Sequence, residues 1–595
     1  MKPVRTIYLR WLPAIIFCLA IALYILVTYY QDMIYTAHLR TPFIGGSLFF
    51  NELMSSPFGM MQWVGCWLTQ FCYHPLLAIA IYAGIWLATY FFADKSFALP
   101  VKWVSLQIIP LGCLLLSIVD LGYWIYCMTE YGYWFSHSLG CLLMFLLLFV
   151  IKRAIKRYGN IAGVSSLAFI LLLYPVLGWY CILLALLMTI MEWQTQKYWL
   201  LVCLAPMLWS FVAYDTISTR DLWLSGFPIF EDGGKICDRV SIPFYVLAVS
   251  TLLLAVVSSF YKDRQKEEDV KKVTIHSIIA TFITSLLVFV GVWQMMFKDY
   301  NYLAEMRMSQ CAMNEDWTGV LQEAQKQQSP SHSMVLLKNL ALVNTGGLGE
   351  YGFKFTSNGT DIKNPDGLNI GPIQIAGPIV YANYGKINYA TRWSQEFAVC
   401  YGYSPYYLMH LARTAKAKGE RSVENKYLTL LHSHKYYENW LPAAYSPLAK
   451  EIERTYGNVI DSDNNNMEYY LMDTFSQSYG SDNEIVLELS LFNAMLIRDP
   501  ERFWNAFVGY AQTIPGKVLP QHYQEAYFLF MEAAPVELPV HVSVSNGMAE
   551  AYTSFRRQYD SLSQLGYNKE MMAKALQVNW GGSYWWHYFF GKKMS

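Results

Sequence analysis

The chain has 595 residues, of which 54% are hydrophobic and 16% aromatic, and its 44 basic and 44 acidic residues give a formal net charge of zero. This balance excludes a strongly basic nucleic-acid-binding protein, and the length allows one membrane domain with one or two soluble units. The apolar residues are unevenly placed, because every run of the ~20 residues needed to cross a bilayer lies before Lys298.

Nine apolar segments in the first half predict a polytopic, all-α transmembrane domain over residues 1–297. The count is nine, give or take one, because the fifth and sixth segments are short and meet near Pro175 and Gly178. The predicted spans are 11–30, 74–93, 103–119, 135–151, 161–177, 178–191, 199–214, 242–261 and 274–297.

Lysine and arginine residues predict the orientation of these spans. They cluster before the first span, between the fourth and fifth spans and before the last span, whereas the loop 120–134 has none. Since cytoplasmic loops are enriched in Lys and Arg, the N-terminus is predicted to be cytoplasmic. An odd number of spans then places the C-terminal half outside the cytoplasm, and an even number would return it to the cytoplasm.

The loop between the first two spans is long, and residues 55–72 within it are apolar and compatible with a helix after Pro57. Two crossings within residues 59–93 would be too tightly spaced. We therefore expect two helices in this loop that lie on the outer leaflet without crossing it.

Residues 298–595 predict a soluble α-helical domain. Residues 407–431 (YLMHLARTAKAKGERSVENKYLTLL) look like a tetratricopeptide-type unit, and helix pairs elsewhere favour a repeat-like domain. An ordinary irregular helical domain is the alternative. A glycine-rich insertion near 344–377 interrupts the helices and is either a binding surface or a disordered insertion. Cys311 and Cys400 are the cysteines of this half, and a disulfide bond between them stays an open question.

Polar residues collect on the outer side of the predicted spans, where ionisable groups carry a functional expectation because their burial is costly. Arg40, His74, Asp215 and Arg220 are the predicted binding residues. Paired carboxylates on this side would hold a divalent cation or act as a general base. The alternative is that all these residues belong to solvated loops. No spacing of His and Cys predicts a metal site, and no cofactor is identified.

Two short motifs carry a family resemblance, SPFGMMQWVGCWLTQFCYHP (residues 56–75) and the terminal GGSYWWHYFFGKK. They resemble an uncharacterised family of multi-pass inner-membrane proteins from Bacteroidetes-type bacteria that carries a domain of unknown function. The chain departs from this pattern at Phe58, where a glycine is expected after the proline. The resemblance implies a bacterial inner (cytoplasmic) membrane and a helical C-terminal domain, which the odd number of spans places in the periplasm. It brings no established activity.

The long outer loop and an acidic residue just after the first span are similar to polytopic glycosyltransferases that use polyprenyl-phosphate sugars. This fainter resemblance implies that Asp32 is the catalytic base, with Glu52 near the reacting hydroxyl and a divalent cation as cofactor. The paired acidic motif of many such enzymes is missing, because Gln31 and Met33 flank Asp32.

Three functional hypotheses follow, and whether the chain is an enzyme stays open among them. The first is a non-enzymatic envelope protein in the lipid bilayer that presents a periplasmic helical-repeat domain to a protein or glycan partner. The second is a glycosyltransferase of the polyprenyl-phosphate-sugar class. The third is a transporter, which is disfavoured because the spans lack charged residues at their midpoints.

Overall fold

The computed structural model describes residues 2–192, 196–232, 235–261, 270–355, 359–362, 368, 370–456, 475 and 480–591. Over these residues the fold is helical apart from isolated bridges and one short antiparallel hairpin, in which β1 (Phe230–Asp232) pairs with β2 (Lys235–Cys237). The prediction of an all-α architecture is confirmed at this level.

Helices of the first half are short at the loops and long in the apolar segments. They are α1 (Lys2–Ile16), α2 (Leu23–Tyr29), α3 (Gln31–Arg40), α4 (Ser47–Met54), α5 (Gly59–Thr69), α6 (Pro75–Phe97), α7 (Ile108–Val119), α8 (Tyr133–Tyr158), α9 (Asn160–Leu177), α10 (Trp179–Met191), α11 (Ala205–Val212), α12 (Thr219–Trp223), α13 (Asp238–Tyr261) and α14 (Val270–Met295). Other helix types join them, namely a π-helix at Phe17–Ala22 and 3₁₀-helices at Gln70–Tyr73, Val101–Gln107, Gly122–Tyr126 and Lys197–Leu204.

Seven helical stretches in the described part of the chain are long and apolar enough to cross a membrane. They are Tyr8–Tyr29, Pro75–Phe97, Val101–Val119, Tyr133–Tyr158, Asn160–Leu177, Arg239–Tyr261 and Ile275–Met295. Two shorter apolar helical stretches, Trp179–Met191 and Lys197–Val212, coincide with the predicted spans 178–191 and 199–214. By the length and composition of its helices the chain is a membrane protein.

One end of the helix bundle is held together by contacts among Arg10, Asp94, Leu99, Phe97 and Ser258. The Arg10 guanidinium donates to the Asp94 carboxylate and the Leu99 carbonyl, and the Ser258 hydroxyl donates to the Phe97 carbonyl. Basic residues in the helices that meet here are Lys95, Lys102, Lys152, Arg153, Lys156 and Arg157. We call this end, formed by Arg10 and residues 94–103, 152–160 and 258–261, the basic end.

The opposite end carries residues 298–591, for which the sequence predicts a soluble domain and which we call the soluble half. We call this end the junction end. The Tyr30 hydroxyl donates to the Phe297 carbonyl at 2.7 Å, and the Phe58 N–H donates to the Pro175 carbonyl at 2.7 Å. The first bond joins the end of the first long helix to the end of the last one. The second bond joins the loop after α4 to the end of α9. Successive long helices therefore run in alternate directions between the two ends.

The two shorter apolar stretches follow the same alternation. At the junction end the Trp179 N–H donates to the Ser225 carbonyl at 2.9 Å. At the basic end the Gln196 side-chain amide lies 3.4 Å from the Asn160 side-chain oxygen. Helix α10 therefore runs from the junction end to the basic end, and the following 3₁₀-helix with α11 runs back.

The second half is a series of helices whose chain neighbours pack together. They are α15 (Tyr300–Met313), α16 (Trp317–Gln325), α17 (His332–Thr345), α18 (Leu348–Tyr351), α19 (Pro372–Asn383), α20 (Ile387–Tyr401), α21 (Pro405–Lys418), α22 (Arg421–Leu431), α23 (Pro447–Tyr456), α24 (Glu484–Ile497), α25 (Pro500–Thr513), α26 (Gln521–Ala533), α27 (Met548–Gln564), α28 (Lys569–Trp580) and α29 (Tyr584–Phe590). Helices α19, α20, α21 and α22 each pack against the next, as do α15, α16 and α17.

The unit predicted at residues 407–431 is a helix pair, α21 and α22. Gly419 ends α21 with a φ of +75°, a left-handed conformation that glycine adopts without strain. The glycine-rich insertion is shorter than the predicted 344–377, since α17 continues to Thr345 and Pro372 begins α19, where a proline loses no helical hydrogen bond. Residues 356–358, 363–367 and 369 of this insertion lie outside the described residues.

All the cysteines whose surroundings the structure describes are free thiols, and Cys311 and Cys400 are among them. These two residues therefore form no disulfide bond in the structure. Cys400 is exposed, whereas Cys311 is half-buried.

Candidate functional site

A cleft of about 350 Å³ lies where the soluble half meets the loop after the first long helix. Its walls come from α3 and the 3₁₀-helix before α6, from the end of α15, from α21 and from the segment after α22. The lining residues are Tyr35, Leu39, Tyr73, Gln310, Met313, Asn314, Glu315, Met409, His410, Arg413, Tyr437, Trp440, Leu441 and Ala443. Because both halves of the chain supply walls, the cleft exists only when they are docked.

His410 on α21 brings an unused hydrogen-bonding group to the cleft. The side chain is buried, and neither ring nitrogen has a hydrogen-bond partner among the described residues. Burial, with the nearby Arg413 and Arg40 charges, lowers the pKa of His410 to about 3, so the ring is neutral at physiological pH. A neutral imidazole offers one donor and one acceptor, and buried polar groups in native proteins are normally paired. A polar ligand in the cleft would supply both partners.

Arg413 lies one helical turn after His410 and forms an ion pair with Glu315 across the cleft wall. Its guanidinium also lies 4.5 Å from the centre of the Tyr445 ring, and its Nε has no hydrogen-bond partner among the described residues. Glu315 has a φ of +57°, which is uncommon for a residue with a side chain and costs ~1–3 kcal/mol. This conformation places its carboxylate beside Arg413 in the tight turn between α15 and α16.

The aromatic wall of the cleft is held by contacts between the two halves. The Tyr437 hydroxyl lies 2.7 Å from Nε2 of His38, a buried residue of α3. The Tyr73 ring stacks on the Tyr436 ring at 4.6 Å between centres. Trp440 follows in the same segment and lines the cleft. These contacts hold several aromatic rings around one cavity.

Asp32, the predicted catalytic base, lies on α3 but does not line the cleft. Its carboxylate accepts a 3.0 Å hydrogen bond from Arg307 of α15, and Arg307 also donates to Glu323 at 2.9 Å. Gln310 connects Asp32 to the cleft, since its side-chain amide lies 3.4 Å from the Asp32 carbonyl. Asp32 thus joins the two halves of the chain, one helical turn before Tyr35 of the cleft wall.

Arg40, a predicted binding residue, is buried at the end of α3 behind the cleft. Its guanidinium lies 3.7 Å from the Tyr406 ring centre and 4.8 Å from the Tyr126 ring centre. It donates to the Tyr407 hydroxyl at 3.0 Å and to the Ile375 carbonyl at 3.2 Å. Arg40 therefore contacts aromatic groups of both halves and fixes α21 against α3.

The other predicted site residues are exposed and lie apart from the cleft. Glu52 is on α4, and Asp215 and Arg220 lie in the loop and helix after α11. His74 precedes α6, and its ring packs edge-on against Tyr73, which does line the cleft. The structure therefore brings none of the six predicted residues into the cleft itself.

The residues with unsatisfied polar groups, His410 and Arg413, were not predicted as site residues. They lie three positions apart in YYLMHLARTA, so they share one face of a helix, and every residue of this helix from Pro405 to Ala415 is buried. Polar residues on an otherwise buried helix face are the signal that marks them. Glu315 gives no such signal, because a left-handed backbone at glutamate is not visible in a sequence.

No group of three or more His, Cys, Asp or Glu side chains in the described ranges is placed to hold a metal ion. The cleft residues instead offer aromatic rings and hydrogen-bonding groups. Such a set suits a small polar ligand with apolar faces.

Comparison with curated proteins and with solved structures gives no match. A family model does match, and it covers residues 6–591, from the start of the first long helix to the end of α29. The predicted membership of an uncharacterised family with a domain of unknown function is thereby confirmed. The chain belongs to the family of unknown function DUF6057.

Proposed function

We propose that the chain is an envelope protein of a bacterial inner membrane that binds a glycan in the cleft at the junction end. The soluble half lies in the periplasm in this proposal. The basic end supports this orientation, because Lys and Arg collect on the cytoplasmic side of membrane proteins and the soluble half follows the opposite end.

The observation that carries the proposal is the combination of ring faces and unpaired polar groups around one cavity. Tyr35, Tyr73, Tyr437 and Trp440 supply aromatic faces, which pack well against the C–H faces of a sugar ring. His410 supplies a donor and an acceptor for hydroxyl groups. The cavity of about 350 Å³ is of the size that takes a small ligand rather than a folded partner.

The stacked helices α15–α17 and α19–α22 support the binding role as the scaffold of the cleft. We assign them to a tetratricopeptide-like repeat domain, in which neighbouring helix pairs build a concave surface. A protein partner would need a larger surface than the cleft, about 800 Å² on each side. A glycan is therefore the preferred occupant.

The test is a binding titration of the full chain in lipid nanodiscs against soluble mono- and disaccharides from bacterial envelope glycans, followed by tryptophan fluorescence and calorimetry. We expect Trp440→Ala and His410→Phe to weaken binding about tenfold or more, because each removes a ring face or a hydrogen-bonding pair. Tyr567→Ala, which removes an exposed ring between α27 and α28, is the control and leaves binding unchanged. Equal binding by wild type and all three variants contradicts the proposal.

The second candidate is a glycosyltransferase that takes a polyprenyl-phosphate sugar. It is favoured by the position of Asp32, one helical turn before Tyr35 of the cleft wall and in contact with Gln310. Turnover of a polyprenyl-phosphate sugar, with and without Mg²⁺ or Mn²⁺, tests this candidate. Asp32→Asn and Glu52→Gln abolish turnover if these residues are catalytic.

Arg307→Gln separates catalysis from structure in that experiment, because it breaks the same ion pair as Asp32→Asn but leaves the carboxylate in place. Loss of turnover in Asp32→Asn alone supports a catalytic carboxylate. Equal loss in both variants assigns Asp32 to the docking of the two halves.

A further inference from the structure

A second cavity, of about 510 Å³, opens at the junction end beside the last long helix. Its walls are residues 294–301, which join α14 to α15, together with Arg239 at the start of α13 and residues 327–329. It shares no lining residue with the glycan cleft. We propose that this cavity binds the phosphate of a membrane phospholipid head group.

Two cations line the cavity, Arg239 and Lys298. The Lys298 ammonium lies 4.6 Å from the centre of the Trp293 ring, which holds it near the cavity. Arg239 is oriented by a hydrogen bond to the buried Asp120. Guanidinium and ammonium groups are the usual protein partners of a phosphate.

The remaining polar groups fit a phosphodiester with a polar substituent. Amide side chains of Gln294, Asn301, Gln327 and Gln328 line the wall. The Asp299 carboxylate accepts the Asn301 N–H at 2.9 Å and so caps α15. The Asp299 and Asp120 carboxylates balance the charges of Lys298 and Arg239, so the cavity fits a head group that is held by hydrogen bonds as well as by charge.

The lipid source of the phosphate is indicated by the surface of α14 that leads to the cavity. Large apolar side chains on this helix are exposed at helical spacing and end at the cavity wall. They include Phe282, Leu286, Leu287, Val290 and Met295. An acyl chain packed along this stripe brings its head group to the level of Met295 and Lys298, where Trp293 and the exposed Tyr300 mark the membrane–water boundary.

The experiment counts phospholipids on the full chain. Protein released from nanodiscs of phosphatidylethanolamine and phosphatidylglycerol is examined by native mass spectrometry, and a short-chain phospholipid is then titrated against delipidated protein in detergent. We expect one retained phospholipid per chain. Lys298→Gln raises the Kd about tenfold, because it removes a charge-assisted hydrogen bond to the phosphate. Gln294→Glu raises the Kd by a similar factor, because its carboxylate repels the phosphate.

Lys95→Gln is the matched control, since Lys95 lies 5.7 Å from the Phe91 ring centre at the basic end and lines neither cavity. It leaves the Kd unchanged. Equal affinity of wild type, Lys298→Gln and Gln294→Glu overturns the proposal. Thermal stabilisation by inorganic phosphate equal to that by the phospholipid also overturns it, because the acyl stripe would then contribute nothing.

Discussion

Phe58 shows how a single residue can hold an unfavourable backbone for the sake of its side chain. Its φ of +71° is left-handed, which explains why a glycine is the expected residue after Pro57. The Phe58 ring is fully buried and stacks on His137 at 5.8 Å and on Tyr180 at 6.0 Å. Loss of a buried ring costs ~3–5 kcal/mol, whereas left-handed backbone strain costs only ~1–3 kcal/mol. Ring packing therefore favours phenylalanine over glycine at this position.

We therefore expect Phe58→Gly to destabilise the protein although it relieves backbone strain. The free energy of unfolding falls by about 2 kcal/mol, the difference between the lost packing and the strain released. Thermal unfolding in detergent measures this, with Phe50→Gly on α4, whose ring is only half-buried, as the comparison. An unchanged or raised Tm in Phe58→Gly would show that the glycine of the family pattern is the more stable choice.

Glu305, at the junction of the two halves, makes the stability of the folded chain depend on pH. Its side chain is fully buried between the halves, where it accepts hydrogen bonds from Tyr123 at 2.7 Å and from Ser331. Burial raises the pKa of its carboxyl from 4.5 to about 7. The folded chain then keeps a proton that the unfolded chain loses, so this group's stabilising contribution is full below pH 4.5 and is lost as the pH rises through 7.

Glu305→Gln should flatten the decline of Tm between about pH 5 and about 7.5, because the amide does not titrate. The contribution removed is on the order of 3 kcal/mol. Some slope remains, since burial also raises the pKa of Glu488 to about 7. Thermal scans across this pH range measure the effect, and an identical slope in wild type and variant contradicts it.

At the scale of elements, the close approach of α5 to the loop before α8 depends on two glycines. A methyl group added at Gly65 would lie 2.3 Å from the Gly132 carbonyl oxygen, and Gly132 itself has a φ of +67°. Neither residue tolerates a side chain without moving α5 away from α8. This contact positions the motif that carries the family resemblance.

We expect Gly65→Ala to lower the Tm and the yield of folded protein, because the added methyl group overpacks a contact between backbones and costs ~1–3 kcal/mol. Gly84→Ala is the matched control, since Gly84 lies in α6 with open space around it and alanine favours a helix. Its Tm stays equal or rises slightly. Equal losses in both variants would show that glycine flexibility matters more than the contact.

Elements were predictable to different degrees for physical reasons. The long apolar segments appear as helices near their predicted bounds, since about 20 apolar residues in a row leave a helix as the common way to satisfy the backbone. Glycine marked the break at Gly178. Pro372 was predicted to lie within the glycine-rich insertion, but it begins α19. The cleft was not predictable, because His410, Glu315 and Trp440 meet only through packing of distant segments. Asp32 stands out in the sequence because it directly follows the first span. Its ion pair with Arg307 was not predictable, because Arg307 lies 275 residues away in the chain.

At the scale of the whole molecule, the proposed orientation can be tested with a native thiol. Cys400 is exposed in the soluble half, whereas the other cysteines with described surroundings are buried or half-buried. A membrane-impermeant maleimide applied to spheroplasts should label the wild type before lysis, and Cys400→Ser should lose that label. Labelling of Cys400 that appears only after lysis would place the soluble half in the cytoplasm.

The link between the halves limits the distance between the cleft and the membrane-spanning helices. Four residues separate α14 from α15, a reach of at most ~14 Å even when extended. Both backbone groups of Phe297 in this link are bonded to the first half, through Val119 and Tyr30. These bonds and the short link hold the cleft close to the end of α14. If the cleft binds a glycan as proposed, its occupancy follows the number of sugar units per area of membrane rather than their concentration in bulk solution.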